Sequence, residues 1–298
     1  MSGPVAKPSA EVDIDEELVR SLLAAQHPDL ADRPLVELDA GWDNVIYRLG
    51  EDLVVRLPRR SLAAPLVLHE QRWLPDLAPR LPLPIPVPLR VGRPSPTYPW
   101  HWSVSPWFAG ETALHAPPAD PDSTARLLGR FLAALHQPAP ADAPANPFRG
   151  IPLADRDERT RAWIDQLPDH VDGPRAHACW RAHVDLPRWD GPPQWLHGDL
   201  HPHNLVVRDG EVVAVIDFGD LTGGDPATDL GIAWMLLPPE NRPLLRHEVG
   251  VDDATWARGR GWALTLGLAY LANGASTPGF AEAGRTAIEA VLDDDWAI

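Results

Sequence analysis

The stretch Trp195-Leu-His-Gly-Asp-Leu-His-Pro-His-Asn204, followed by Ile216-Asp-Phe-Gly219, gathers the side chains best suited to chemistry. Asp199 and Asn204 fall in one polar loop, and the apolar runs 205–207 and 212–216 are spaced as a hairpin that returns the chain and delivers Asp217 beside them. Two carboxylates and a carboxamide are hard oxygen donors. They are poor ligands for soft metals and match magnesium, which keeps waters and borrows phosphate oxygens. A nucleotide is needed to complete such a site. Three imidazoles, His197, His201 and His203, share the loop with Asp199, so a transition-metal site is the competing reading. The spacing of Asn204 and Asp217 is explained by magnesium and not by that alternative.

The order His-Gly-Asp-x-x-x-x-Asn, then Ile-Asp-Phe-Gly, resembles the catalytic and metal-binding loops of the aminoglycoside phosphotransferase family, relatives of the protein kinases. The resemblance implies an α+β, two-lobed, protein-kinase-like fold with a small N-terminal β-sheet lobe and a larger, mostly helical C-terminal lobe. It implies that Asp199 takes the proton of an acceptor hydroxyl, that Asn204 and Asp217 hold Mg2+, and that ATP or GTP donates the phosphoryl group. His197 matches the histidine that opens the kinase loop and is expected to orient it. The run Gly224-Asp-Pro-Ala-Thr-Asp-Leu230 also matches the family, whose second acid, here Asp229, is expected to brace the loop through hydrogen bonds.

Closer to the N-terminus, Gly41-Trp-Asp-Asn44 and the residues up to Gly50 resemble the turn that covers the phosphates, which assigns Gly41 and Asn44 to nucleotide binding. Arg56 stands where a strand lysine would meet the α and β phosphates, and Glu70 on the next helix is its expected ion-pair partner. An arginine supplies the same charge through a more rigid fork, a departure that bears on phosphate geometry and nucleotide preference. An ordinary surface pair would look the same in sequence. The full glycine signature of protein kinases is missing. Residues 103–110 occupy the place of the interlobe connector, whose backbone would bind the base while Trp107 or Phe108 offers apolar surface.

The elements that must position these groups are legible in outline. Residues 15–26 read as a capped amphipathic helix, 44–49 and 53–57 as strands around the turn Gly50-Glu51-Asp52, and 66–77 as a helix. Proline recurs through 81–99 and 138–152, which excludes helix or central strand there. A strand and connector are expected over 97–108. Helices are expected at 123–136, 156–167, 226–237, 255–272 and 280–292, so a mixed N-terminal part (1–106) precedes a helical part (107–298). No internal repeat is seen.

With 298 residues, 44% of them apolar, the chain is long enough to bury a sizeable core. Its 26 basic and 42 acidic side chains leave a net charge of −16, which disfavours nucleic acid and anionic membrane and suits a cationic small molecule, although the same charge also serves solubility. A single cysteine, Cys179, excludes an intramolecular disulfide and a cysteine zinc cage. No Gly-x-Ser-x-Gly elbow is present, so acyl transfer has no nucleophile. The first residues lack the apolar run of a secretory signal, and 262–272 is too short to cross a bilayer. A cytoplasmic monomer or dimer is expected. The family resemblance points to an aminoglycoside or another antibiotic as acceptor, while the same scaffold serves macrolides, choline-like alcohols, sugars and homoserine. A nucleotide-binding module without catalysis is the alternative from another class. The acidic terminus at 293–298 is expected to be a solvated end rather than a lure for polyamines.

Overall fold

The computed structural model describes residues 9–40, 43–168, 171–274 and 279–294. Helix α1 (Glu16–Gln26) starts at Asp15, whose carboxylate accepts the Leu18 N–H at 2.8 Å. Five strands follow, β1 (Leu35–Ala40), β2 (Asn44–Leu49), β3 (Leu53–Pro58), β4 (Arg90–Gly92) and β5 (Trp102–Pro106), with helix α2 (Ala64–Leu77) inserted after β3. They form an antiparallel sheet in the order β1-β2-β3-β5-β4. Alternation along β2 and β3 sends Tyr47, Leu49, Val55 and Leu57 to one face, where they join Val19, Leu22 and Leu23 of α1 in a small core. The same alternation puts Arg56 on the opposite face. The proline-rich 81–99 segment contributes only the edge strand β4, where missing donors are tolerated. Strand β1 was not anticipated, because its sequence, Leu-Val-Glu-Leu-Asp-Ala, lacks clean alternation and its register shifts at a bulge between Glu37 and Asp39.

The remaining elements are β6 (Glu111–Thr112), α3 (Pro121–Leu135), α4 (Asp157–Ile164), α5 (Gly173–Val184), β7 (Gln194–Leu196), β8 (Leu205–Arg208), β9 (Glu211–Val215), β10 (Thr222–Gly224), α6 (Ala227–Leu230), α7 (Ile232–Leu236), α8 (Arg242–Val249), α9 (Asp253–Asn273) and α10 (Phe280–Leu292). Helix α9 runs through the middle of the larger core, with Trp262, Leu264 and Leu266 buried among Trp180, Trp234 and Ile288. Packing rather than a cofactor thus accounts for these tryptophans. The helix expected over 226–237 is two short helices meeting at Gly231. Helix α5 was not foreseen, although Asp172 caps it by accepting the Arg175 N–H at 2.9 Å and Pro174 sits in its first turn. Leu74, Leu77, Leu83 and Ile85 belong to the larger core, so α2 and the start of the proline-rich segment tie the sheet to the helices. Among the described residues no helix is long and apolar enough to cross a membrane.

One buried ion pair and one buried thiol mark this core. Arg258 of α9 pairs bidentately with Asp225 at 2.7 and 3.1 Å, both side chains being almost inaccessible. Asp225→Ala should therefore leave an uncompensated buried guanidinium and cost about 3–5 kcal/mol in denaturant unfolding. Cys179 lies buried on α5, and burial pushes its thiol up to about 12. Because the thiolate is the reactive form, roughly one thiol in ten thousand is ionised at pH 8. Ellman's reagent should leave the native protein unlabelled at that pH and titrate one thiol after denaturation.

Candidate active site

Strand β7 feeds residues 197–204 into a loop that approaches the chain after β9 very closely. Gly198 makes this approach possible: its φ is +87°, and a Cβ there would lie 2.3 Å from the Asp220 carbonyl oxygen. The loop's backbone is held by Asp229 of α6, which is completely buried. Asp229 Oδ2 accepts the His197 N–H at 2.8 Å and Oδ1 accepts the Gly198 N–H at 2.9 Å. His136, directly after α3, brings its Nε2 to 3.1 Å from the same carboxylate.

His197 links the loop to the chain that leaves β9 and carries Asp217. Its Nε2 donates to the Ile216 carbonyl at 2.9 Å, its Nδ1 accepts the Asp199 N–H at 3.2 Å, and its ring packs 4.5 Å from Phe218. Asn204 Nδ2 donates to the Asp199 carbonyl at 2.9 Å, and the Asn204 carbonyl accepts the Ile216 N–H at 2.9 Å. The hairpin of β8 and β9 then returns the chain to Asp217, which takes a left-handed conformation with φ +61°. Asp is among the residues that tolerate it.

From the sheet, Arg56 meets three partners. Its Nη1 bonds Glu70 Oε1 at 2.5 Å and its Nη2 bonds Asp217 Oδ1 at 2.8 Å. The Asn44 carboxamide, turned with its oxygen toward the guanidinium, accepts from Nε at 3.0 Å and Nη2 at 3.1 Å. Glu70 is only 4% exposed, so the pair is no ordinary surface bridge. Burial works against the Arg56 charge, but Glu70 and then Asp217 outweigh it and raise the group above its ordinary range. Asp217 shows the converse: burial alone would raise its carboxyl, and Arg56 holds it below the usual value.

Of the groups around Asp199, Arg149 and Tyr270 were not singled out by the sequence. Arg149 Nη2 donates to its Oδ1 at 2.8 Å, the Tyr270 hydroxyl donates to the same oxygen at 3.1 Å, and His201 Nε2 lies 3.4 Å from Oδ2. Burial would raise this carboxyl too, yet Arg149 and then His201 overcome it and hold Asp199 well below the carboxylate range. Arg149 comes from the proline-rich segment 138–152 and is the one Lys or Arg between Arg130 and Arg156, the only trace it leaves in the sequence. His201, weighed in the sequence as part of an imidazole metal site, has another setting. It is instead 5% exposed, stacked edge-on against Tyr270 and Phe280 at 5.1 and 5.4 Å.

The other expected positions are placed as follows. Gly41 lies outside the described residues. Trp107 directly follows β5 at the connector, but its backbone N–H is taken by the Asp52 carbonyl at 2.7 Å and its ring lies 5.1 Å beneath the Arg48 guanidinium. The described part of the acidic terminus turns to the helical core, where Asp294 accepts from Trp234 Nε1 at 2.7 Å and faces Arg260 at 3.2 Å. Among the described residues no cluster of three or more His, Cys, Asp or Glu is arranged to hold a metal ion. His197 has both ring nitrogens engaged, which removes it from the imidazole site weighed above. The oxygen donors of Asn204 and Asp217 remain suited in chemistry to magnesium, since the Asn204 amide nitrogen is committed to a carbonyl and its oxygen is left as the acceptor.

Residues 34–262 match the profile of the phosphotransferase enzyme family. No curated protein matches the chain in sequence. Among solved structures, aminoglycoside phosphotransferase APH(2")-IIIa in complex with GDP and kanamycin superposes with a TM-score of 0.70 at 19% identity, covering 92% of this chain and 98% of that one. APH(2")-IIa with streptomycin and ATP gives 0.60 at 18% identity over 87% and 91% of the two chains. The macrolide 2'-phosphotransferase MphH of Brachybacterium faecium gives 0.64 at 22% identity over 94% and 99%. With a family profile spanning most of its length and a two-lobed kinase-like fold, the chain belongs to the phosphotransferase enzyme family.

Proposed function

We propose that the protein transfers the γ-phosphoryl group of ATP or GTP to a hydroxyl of a small molecule, most readily an aminoglycoside or another antibiotic. The observation that carries this reading is the hydrogen-bonded unit that joins the loop of ionised Asp199 to Asn204 and to the chain at Asp217, with Arg56 bonded to Asp217. The structural neighbours that hold kanamycin with GDP, or streptomycin with ATP, support the acceptor and donor classes. The net charge of −16 suits a cationic acceptor. A lone, buried cysteine and an acidic surface are in keeping with a cytoplasmic protein that binds neither nucleic acid nor membrane. Residues 1–106 would serve as the nucleotide lobe and 107–298 as the catalytic lobe.

In this reading Arg56, held by Glu70 and Asn44, faces the phosphates, and the Asn204 and Asp217 oxygens hold Mg2+. Bound magnesium neutralises charge on the phosphate oxygens. Asp199 orients the acceptor hydroxyl and receives its proton. A carboxylate held so firmly ionised is a weak base. Phosphoryl transfer through a loose transition state depends on positioning and charge neutralisation, so weak basicity suffices. The shared hydrogen bonds explain why the parts act together: the loop that carries Asp199 is joined through His197 to the chain that leaves β9 and carries Asp217.

Incubation of a panel of hydroxylated antibiotics and metabolites with ATP and with GTP should yield one acceptor that gains the mass of a phosphoryl group. Absence of transfer across the panel, with no nucleotide hydrolysis, refutes the reading. Asp199→Ala should lower kcat by roughly 10²–10⁴-fold and retain magnesium-nucleotide binding in calorimetry. Asp217→Ala should weaken that binding as well. Full activity and equal nucleotide affinity in both variants would overturn the assignment of roles.

A further inference from the structure

The two oxygens of the Asp199 carboxylate are not equivalent. Oδ1 accepts two hydrogen bonds, from Arg149 Nη2 at 2.8 Å and from the Tyr270 hydroxyl at 3.1 Å. Oδ2 has His201 Nε2 at 3.4 Å, a distance at the edge of hydrogen-bond reach. Two donors arriving from different parts of the chain fix the rotation of the carboxylate about its own bond. One oxygen is thereby consumed and the other presented.

Arg149 is built into this position. Its segment is knitted to the catalytic loop and its neighbours: Gly223 N–H donates to the Pro144 carbonyl at 3.1 Å, Asn146 N–H to Thr222 Oγ1 at 3.1 Å, and Asp225 N–H to the Gly150 carbonyl at 2.9 Å. Gly150, next to Arg149, has φ +68°, and a Cβ there would lie 2.9 Å from Leu196 and 3.1 Å from the Gly224 Cα. That turn requires glycine. The Arg149 side chain is 16% exposed, and Oδ2 of its remaining acidic neighbour, Asp220, stands 3.9 Å away, beyond hydrogen-bond distance, while Asp220 Oδ1 accepts from Asn146 Nδ2 at 2.6 Å. The bond to Asp199 is thus the principal commitment of the guanidinium.

We propose that Arg149, with Tyr270, is a positioning residue for phosphoryl transfer: the pair saturates Asp199 Oδ1 and turns Oδ2 toward the acceptor, which makes Oδ2 the oxygen that takes the proton. The proposal rests on the reading of Asp199 as the base. In the step it describes, the acceptor oxygen bonds to the γ-phosphorus. The bond from that phosphorus to the bridging oxygen breaks, its electron pair leaves with the nucleoside diphosphate, and the hydroxyl proton passes to Asp199 Oδ2. Misplacing a catalytic group by an ångström costs on the order of 10² in rate. A carboxylate free to rotate would misplace its lone pairs by that much.

The test compares wild type with Arg149→Gln, Arg149→Lys, Tyr270→Phe and Asp199→Asn. Phosphate release from MgATP and MgGTP with water as the acceptor gives kcat and KM, and calorimetry gives the affinity for MgADP. Arg149→Gln should lower kcat by roughly 10²-fold with nucleotide KM and MgADP affinity little changed. Arg149→Lys should recover part of the loss, since it restores the charge and one donor without the fork. Tyr270→Phe removes a single hydroxyl from a packed ring and decides the matter should the glutamine variant fold poorly: a lower kcat at constant KM supports the proposal, and an unchanged kcat overturns it. A loss of kcat in Arg149→Gln matched by an equal loss of MgADP affinity also overturns it, because it marks a purely structural arginine. If wild type turns over and Asp199→Asn does not, while Arg149→Gln keeps full kcat, this inference falls and the functional reading stands. If wild type and Asp199→Asn both fail to turn over either nucleotide, with water and with every acceptor of the panel, the functional reading falls and takes this one with it.

Discussion

A buried carboxylate bonded to two successive backbone amides is the contact on which the rest of the site hangs. Asp229 sits fully out of water with the His197 and Gly198 N–H groups on its two oxygens and His136 beside it. A charge in that setting is stable only while its donors stay in place, so the loop backbone and the carboxylate define one another. From the loop so fixed, His197 reaches to Ile216 and Asn204 turns back to the Asp199 carbonyl. Asp199, Asn204 and Asp217 are therefore parts of a single hydrogen-bonded unit.

The second organising feature is the pairing of cleft acids with two arginines. Arg56 neutralises Glu70 and Asp217 on the sheet side, and Arg149 neutralises Asp199 and leans on Asp220 on the helical side. In a chain this acidic, a crevice lined with unpaired carboxylates would raise their pKa values through burial and mutual repulsion. The arginines reverse that tendency for Asp199 and Asp217, and both are held below the usual carboxylate range, as the proposed roles in cation binding and proton transfer require.

Local patterns in the chain announced much of this. The alternation in β2 and β3, the capped amphipathic α1 and the apolar α10 were visible because each element's burial pattern follows its own period. Helix α5 and strand β1 were not, since the first mixes polar and apolar residues around its circumference and the second is bulged. For the segment 138–152 the sequence excluded helix and central strand and no more. Proline excludes regular structure but says nothing about where an irregular chain is pinned, and here side-chain and backbone bonds to Thr222, Asp220 and Thr228 pin it beside the catalytic loop.

By itself the sequence determined which candidate groups would lie together, because Asp199, Asn204, Asp217 and Asp229 lie within one loop, the end of one hairpin and one short helix, where spacing translates directly into proximity. It also determined that Arg56 and Glu70 would be candidates for an ion pair. Tertiary structure alone decided which groups surround Asp199. Arg149 lies 50 positions before it and Tyr270 lies 71 after it, separations over which no local period carries information. Only the docking of a glycine-hinged loop against β7 and β10, and of α9 against the catalytic loop, brings both donors onto one carboxylate oxygen.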